Sequence, residues 1–267
     1  EMFVAHHTYT DRAIASVRMH GDVSFSQGGS AYDVLYCLQN YGICPEEAMP
    51  LPGTLYGDSL ANFGEFFSVL EPYVNAIAKS NSKKLSPAWK TGFNGILDAY
   101  LGKLPEEFTY QGKTYTPKTF VQSLGLNLDD YVTITSYTHH PFWSKFAVEV
   151  QDNWRWPLSY NLPMEDMMRV IDNAVNQGYT IAWGGDVTED GFTRKGLGIA
   201  YDVKKARSMA GTDADHWFKL SSTEKKSKLD SLGIDAPEIV PTQEMRQEAY
   251  DNWETTDDHG MLIFGIA

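Results

Sequence analysis

The chain has 267 residues, 42% of them hydrophobic and 13% aromatic, and a formal net charge of −13. That is enough apolar matter to bury a sizeable core in one large domain or two lobes, and it argues against a mostly disordered chain. The acid excess argues against nucleic acid and anionic membranes as partners, because no stripe of Lys and Arg is present to neutralise phosphates.

The N-terminal stretch EMFVAHHTYTDRA lacks the charged leader, apolar core and cleavage site of a signal peptide. No apolar run approaches the ~20 residues that a spanning helix needs. After Gly28 and Gly29 a helix is expected. Ser30 is its N-cap, and Asp33 reaches back as in a capping box. Ala31, Val34, Leu35 and Leu38 share a face by the 3.6-residue period, and Gly42 fits the left-handed residue that ends a helix. Two readings of the glycine pair stand side by side. The glycines supply φ > 0 in a turn, or they leave a bare backbone edge that an extended peptide can pair with.

Residues 58–79 predict one or two helices broken near Pro72. Residues 86–101 predict a helix capped by Ser86, with Pro87 in its first turn and Phe93, Ile96, Leu97, Tyr100 and Leu101 as its apolar stripe. A hairpin is expected over 108–116 around Gln111-Gly112, and a short helix after Pro117. Strand character begins at 131–137 and returns at 146–150. A helix over 163–177 presents Met167, Val170, Ile171, Ala174 and Val175, and Gly178 closes it. Then come a buried strand at 179–187, a charged solvated connector at 221–238, a short amphipathic helix near 241–254, and a final buried strand carrying Met261–Phe264. Helices dominate the first half and strands the second, which argues for the α+β class.

His259, between Asp258 and the final strand, is the leading candidate for chemistry. An imidazole with an ordinary pKa of about 6.5 exchanges protons near neutrality and can serve as a general base. Taken alone, it reads more readily as a partly buried histidine satisfied by Asp258 or by backbone. His139 and His140 are adjacent, and on a strand adjacent side chains point to opposite faces, so no metal is assigned to them. Cys37 and Cys44 read as small buried hydrophobes. There is no G-x-S-x-G elbow and no phosphate-binding glycine loop, and no cofactor is expected.

Several stretches taken together resemble one family. QGGSAYDVLYCLQNYGICPEEAMP resembles the papain-type segment in which N/Q-G-G opens a helix, and DDHGMLIFGIA resembles the D-H-A-[VM] strand that carries the catalytic histidine. EMFVAHHTY and DNWRWPLSYNLPMEDMMRVIDNAVNQGYTIAWGGDV resemble the bleomycin hydrolase/aminopeptidase C branch, as does a helical insertion at about 51–130. The resemblance implies a papain-like fold, with a mostly helical lobe over 1–130 and a β-rich lobe over 131–267. It implies a cysteine aminopeptidase acting on peptides, with His259 as the catalytic imidazole and Gly28, Gly29 and Asp258 on the substrate side. Asp186 falls on the family's G-x-D-V position without a role. A homohexameric ring is implied, and a cytoplasmic location, with export the alternative should a leader have been removed. The family's Q-G-x-x-x-T-C-W segment, which bears the thiol, and its N-S-W-G segment are absent from these residues. The 267-residue chain alone is therefore expected to be inactive. The alternative is a non-catalytic peptide-binding protein of the same fold.

Overall fold

The structure, a computed structural model, describes residues 1–54, 60–189, 191–192, 196–202, 214–232 and 237–266. It divides into two compact units, Glu1–Thr133 with Ala147–Pro157, and Ile134–Phe146 with Leu158–Ala267. Helix at 44% far exceeds strand at 11%, and the class is mixed α+β.

The first unit is built on helices. Its opening helix α1 (Met2–Arg18) goes unforeseen in the sequence, because its buried face mixes Phe3 and Ala13 with His6, Thr8, Arg12 and Ser16. Those polar residues blur the apolar period. Helix α2 (Ala31–Asn40) starts as expected, with the Ser30 N–H donating to Asp33 Oδ2 at 3.1 Å. It ends at Gly42, whose φ is +95° and whose N–H donates to the Cys37 carbonyl. Its buried side differs from the expected one. Asp33 and Cys37 face inward, while Val34 is exposed.

Helix α3 (Phe63–Ala78) runs unbroken through Pro72, contrary to the expected break; residues 58–59 of that expected segment lie outside the described residues. A proline inside a helix costs about 3 kcal/mol. Phe66, Phe67, Leu70 and Val74 are all buried, at ~1.5–3 kcal/mol each, which outweighs that cost and holds both sides of the proline in one helix. Helix α4 (Ala88–Leu101) buries Phe93, Leu97 and Leu101 as its spacing predicts, but its N-cap is Pro87 and not the expected Ser86, and no side chain caps it. These two helices, with Ala13 and Phe25, make the main core. Strands β1 (Phe108–Tyr110) and β2 (Lys113–Tyr115) form the expected hairpin, with Gln111 at φ +50° and Gly112 at φ +75°, the pattern of a two-residue type I′ turn. Helix α5 (Pro117–Ser123) follows, capped by Thr116. A second core gathers Phe3, Cys37, Cys44, Met49, Phe108 and Phe120.

In the second unit strand is sparser than the alternation suggests. Strands β3 (Ile134–Thr135), β4 (Lys145–Phe146) and β5 (Ser159–Asn161) form a small sheet ordered β3-β5-β4, with β5 parallel to β3 and antiparallel to β4. The fully buried Asn161 side chain spends its hydrogen bonds on backbone of the turn after β3, accepting from the Tyr137 N–H and donating to the Tyr137 and His140 carbonyls. Helix α6 (Met164–Asn176) matches its expected span. Strands β6 (Ile181–Gly185) and β7 (His259–Ile263) pair antiparallel, with Ile181 opposite Ile263 and Gly185 opposite His259. Both were expected to be buried and instead lie largely open, with Leu262 60% exposed. Helices α7 (Ala214–Lys219), α8 (Ser222–Leu232) and α9 (Gln243–Asp251) complete the described elements. The segment expected as a solvated connector is thus helical over α8, where polar side chains carry no apolar period to reveal it; residues 233–236 of it lie outside the described residues.

Candidate functional site

In the second unit His259 is the first residue of β7, opposite Gly185, the last of β6. The strand pairing continues one residue outward, where the Asp258 N–H donates to the Gly185 carbonyl at 3.2 Å. The Asp258 carboxylate then does two things with one oxygen. Its Oδ1 accepts from the Val187 N–H at 2.9 Å and lies 3.0 Å from His259 Nδ1. The Asp258 side chain is 25% exposed and that of His259 57%. When Nδ1 carries the proton it donates to Asp258, and Nε2 keeps its lone pair. Such a ring is oriented, accessible and able to take a proton. The candidates of this unit, His259 and Asp258, are in direct contact.

The first unit holds Gly28 and Gly29, just ahead of α2. Neither has positive φ, so the turn reading of the pair is corrected. Close approach explains them instead. A β-carbon on Gly28 would overlap the Asp152 carboxylate, and one on Gly29 would stand 2.9 Å from Asp33 Oδ2. The Gly28 carbonyl accepts from Arg12 Nη1. Gly29 is exposed, and its N–H and carbonyl bond to nothing among the described residues. That leaves a donor and an acceptor on bare backbone, the pair that an extended peptide can use.

Beneath the glycines lies a charge network that sequence reasoning missed. Arg12 is fully buried and donates through Nε to the Ser24 carbonyl at 3.0 Å, with Asp152 Oδ1 3.7 Å from Nη1. Arg155 reaches Asp33 Oδ1 at 2.6 Å and Asp11 Oδ2 at 2.8 Å, and its guanidinium lies over the rings of Tyr36 and Trp154. Burial works against the Arg155 charge, and the bonds and charges of Asp11 and Asp33 outweigh it, holding the group above its ordinary pKa. Burial raises the Asp152 carboxyl despite the pull of Arg12, and lowers Arg12 itself. Asp33 therefore caps α2 with one oxygen and anchors Arg155 with the other, which turns the buried side of that helix toward Asp33. Trp154 and Trp156, flanking Arg155 in the sequence, were the one local signal of a stacked guanidinium.

Cys37 and Cys44 are both buried, and burial pushes the Cys37 thiol up to about 12 and the Cys44 thiol up as well. Neither forms a thiolate near neutrality. His139 and His140 occupy a turn beyond β3 and not a strand, so the opposite-faces argument does not apply to them; their rings lie 4.8 Å apart, centre to centre.

Among the described residues no helix is long and apolar enough to cross a membrane. No protein-family model matches the sequence, and no curated protein does. A solved structure does match in fold: PepW from Lactobacillus rhamnosis HN001 (DR20), with a TM-score of 0.59 at 18% identity. The likeness covers 99% of this chain and 60% of PepW, so the chain spans about three fifths of that protein's length and shares its fold over that span.

Proposed function

We propose that the chain belongs to a papain-like cysteine peptidase of the bleomycin hydrolase branch, an aminopeptidase by that resemblance, with His259 as general base and Gly28 and Gly29 as the edge that pairs with substrate backbone. The observation that carries this reading is the geometry around His259: an accessible imidazole at the start of β7, oriented by an aspartate that is itself fixed by the Val187 N–H. The fold shared with PepW along almost the whole chain supports it. So do the unused donor and acceptor of Gly29.

In this mechanism the His259 imidazole takes the proton of a thiol, giving a thiolate–imidazolium pair. The thiolate adds to the peptide carbonyl, the C–N bond breaks, and the imidazolium returns its proton to the leaving amine. Water then hydrolyses the thioester with the same ring as base. Cys37 and Cys44 do not supply the thiol, since burial keeps both protonated. In this reading the 267 residues contribute base and binding edge, and without an activated thiol they are expected to hydrolyse nothing by themselves. The homohexamer implied by the resemblance is part of the same reading, and sedimentation velocity tests it.

A peptide titration tests the binding half. Adding tri-alanine amide to the ¹⁵N-labelled chain should shift the Gly28 and Gly29 amides saturably. Unchanged amides at saturating peptide would remove the peptide-binding edge from the account. The alternative, a non-catalytic peptide binder, shares that result and is separated by hydrolysis alone.

A further inference from the structure

Residues 23–29, which lead into α2, make no backbone–backbone hydrogen bond among the described residues. Such a segment is either loose or held by side chains. Here the side chains come largely from α1. Arg12 is fully buried, and its three nitrogens reach three carbonyls. Nε donates to Ser24 at 3.0 Å, Nη1 to Gly28, and Nη2 to Gln151 at 3.4 Å. Tyr9 lies on the same face of α1, three residues earlier, and its hydroxyl donates to the Gln27 carbonyl at 3.4 Å. At the other end Asp33 Oδ2 accepts from the Ser30 N–H at 3.1 Å.

The carbonyls of residues 24, 27 and 28 are thus drawn toward α1. Gly29 falls between the last of these ties and the one to Asp33, and its own N–H and carbonyl stay unused among the described residues. A guanidinium suits this task, because its planar fork spans several acceptors where an ammonium is a single point. Burying its charge is costly, and the Asp152 carboxylate, 3.7 Å from Nη1, offsets part of that cost. Arg12 has no exposed surface with which to meet a ligand. Whatever it does for one, it does through the segment it holds.

We propose that Arg12 is a positioning residue for the Gly28-Gly29 edge: by fixing the Ser24 and Gly28 carbonyls it keeps the Gly29 N–H and carbonyl outward and ordered before a peptide arrives. This rests on the reading of the glycine pair as a peptide-binding edge. An edge fixed in advance spares the complex the entropy of ordering it, which strengthens binding.

The test uses the ¹⁵N-labelled 267-residue chain and tri-alanine amide. In the free wild-type chain the Gly29 amide should have an order parameter near ~0.85, as rigid backbone does, and peptide should not raise it. A value below ~0.6 in the free chain would overturn the proposal. In Arg12→Lys the free-state value should fall below ~0.6 and the Kd should rise about tenfold. The amides of Phe93 and Leu97 in α4 report whether the variant is folded. A folded variant with a lower unfolding midpoint, but unchanged Kd and Gly29 order, would reduce Arg12 to scaffold and end the proposal. Should Arg12→Lys fail to fold, the wild-type order parameter decides. The two readings fail differently. No saturable Gly29 shift in the wild-type chain removes the peptide edge and, with it, the role of Arg12. Equal binding by wild type and folded variant removes the role of Arg12 and leaves the edge.

Discussion

Gly28 is held to glycine by the Asp152 carboxylate against its α-carbon. Gly28→Ala should cost about 1–3 kcal/mol, the range for overpacking a filled site, read as a lower urea midpoint. His7 gives a pH dependence. Its ring stacks on Tyr41 at 4.1 Å, and burial first, with His6 second, lowers its pKa to about 4 from 6.5, against the pull of Asp11. The unfolded chain then binds a proton that the folded chain refuses, so this contribution is fully present above pH 6.5 and is lost as pH falls toward 4. Replacing His7 with Gln should flatten the fall in unfolding free energy over that window. Equal slopes in both proteins would contradict it. At this scale short motifs singled out His259, Asp258 and the glycine pair, the residues that the proposed reading uses. Arg155 was not legible, because its partners Asp33 and Asp11 lie 122 and 144 residues away and no local period announces them.

Among elements, α2 and the β1–β2 hairpin were readable because caps and turn residues act locally, and α4 because Phe93, Leu97 and Leu101 keep the helical period. Ser30 with Asp33, Gly42, and Gln111-Gly112 each set backbone geometry within a few residues. The elements that escaped reading are those shaped by partners elsewhere. Helix α1 hides its period behind buried Arg12 and His6, and α3 passes through Pro72 because its core contacts extend on both sides. That account makes Pro72 a cost the helix bears. Pro72→Ala should stabilise the protein by about 1–2 kcal/mol, the helical penalty offset in part by a freer unfolded chain. Denaturant unfolding measures it, and a loss of stability would show that Pro72 is needed for the packing of α3.

For the whole molecule, the α+β class was legible from composition and pattern, while the amount of strand was overread. Short alternating runs such as 146–150 carry the period of a strand without a neighbour to pair with, and only Lys145–Phe146 of that region is paired. A net charge of −13 disfavours partners rich in phosphate. What the chain shares with PepW is the fold, and thiol-dependent hydrolysis with His259 as base is the proposed reading. The most direct measurement is the release of coumarin from aminoacyl-coumarin amides by the product of the full-length reading frame, compared with its His259→Ala variant. The account predicts hydrolysis that needs a reductant, is blocked by iodoacetamide, and falls by about 10³-fold or more in the variant, in the upper part of the ~10²–10⁴-fold usual for a general base because nucleophile activation is lost with it. Hydrolysis that survives His259→Ala, or that is indifferent to iodoacetamide, would contradict it.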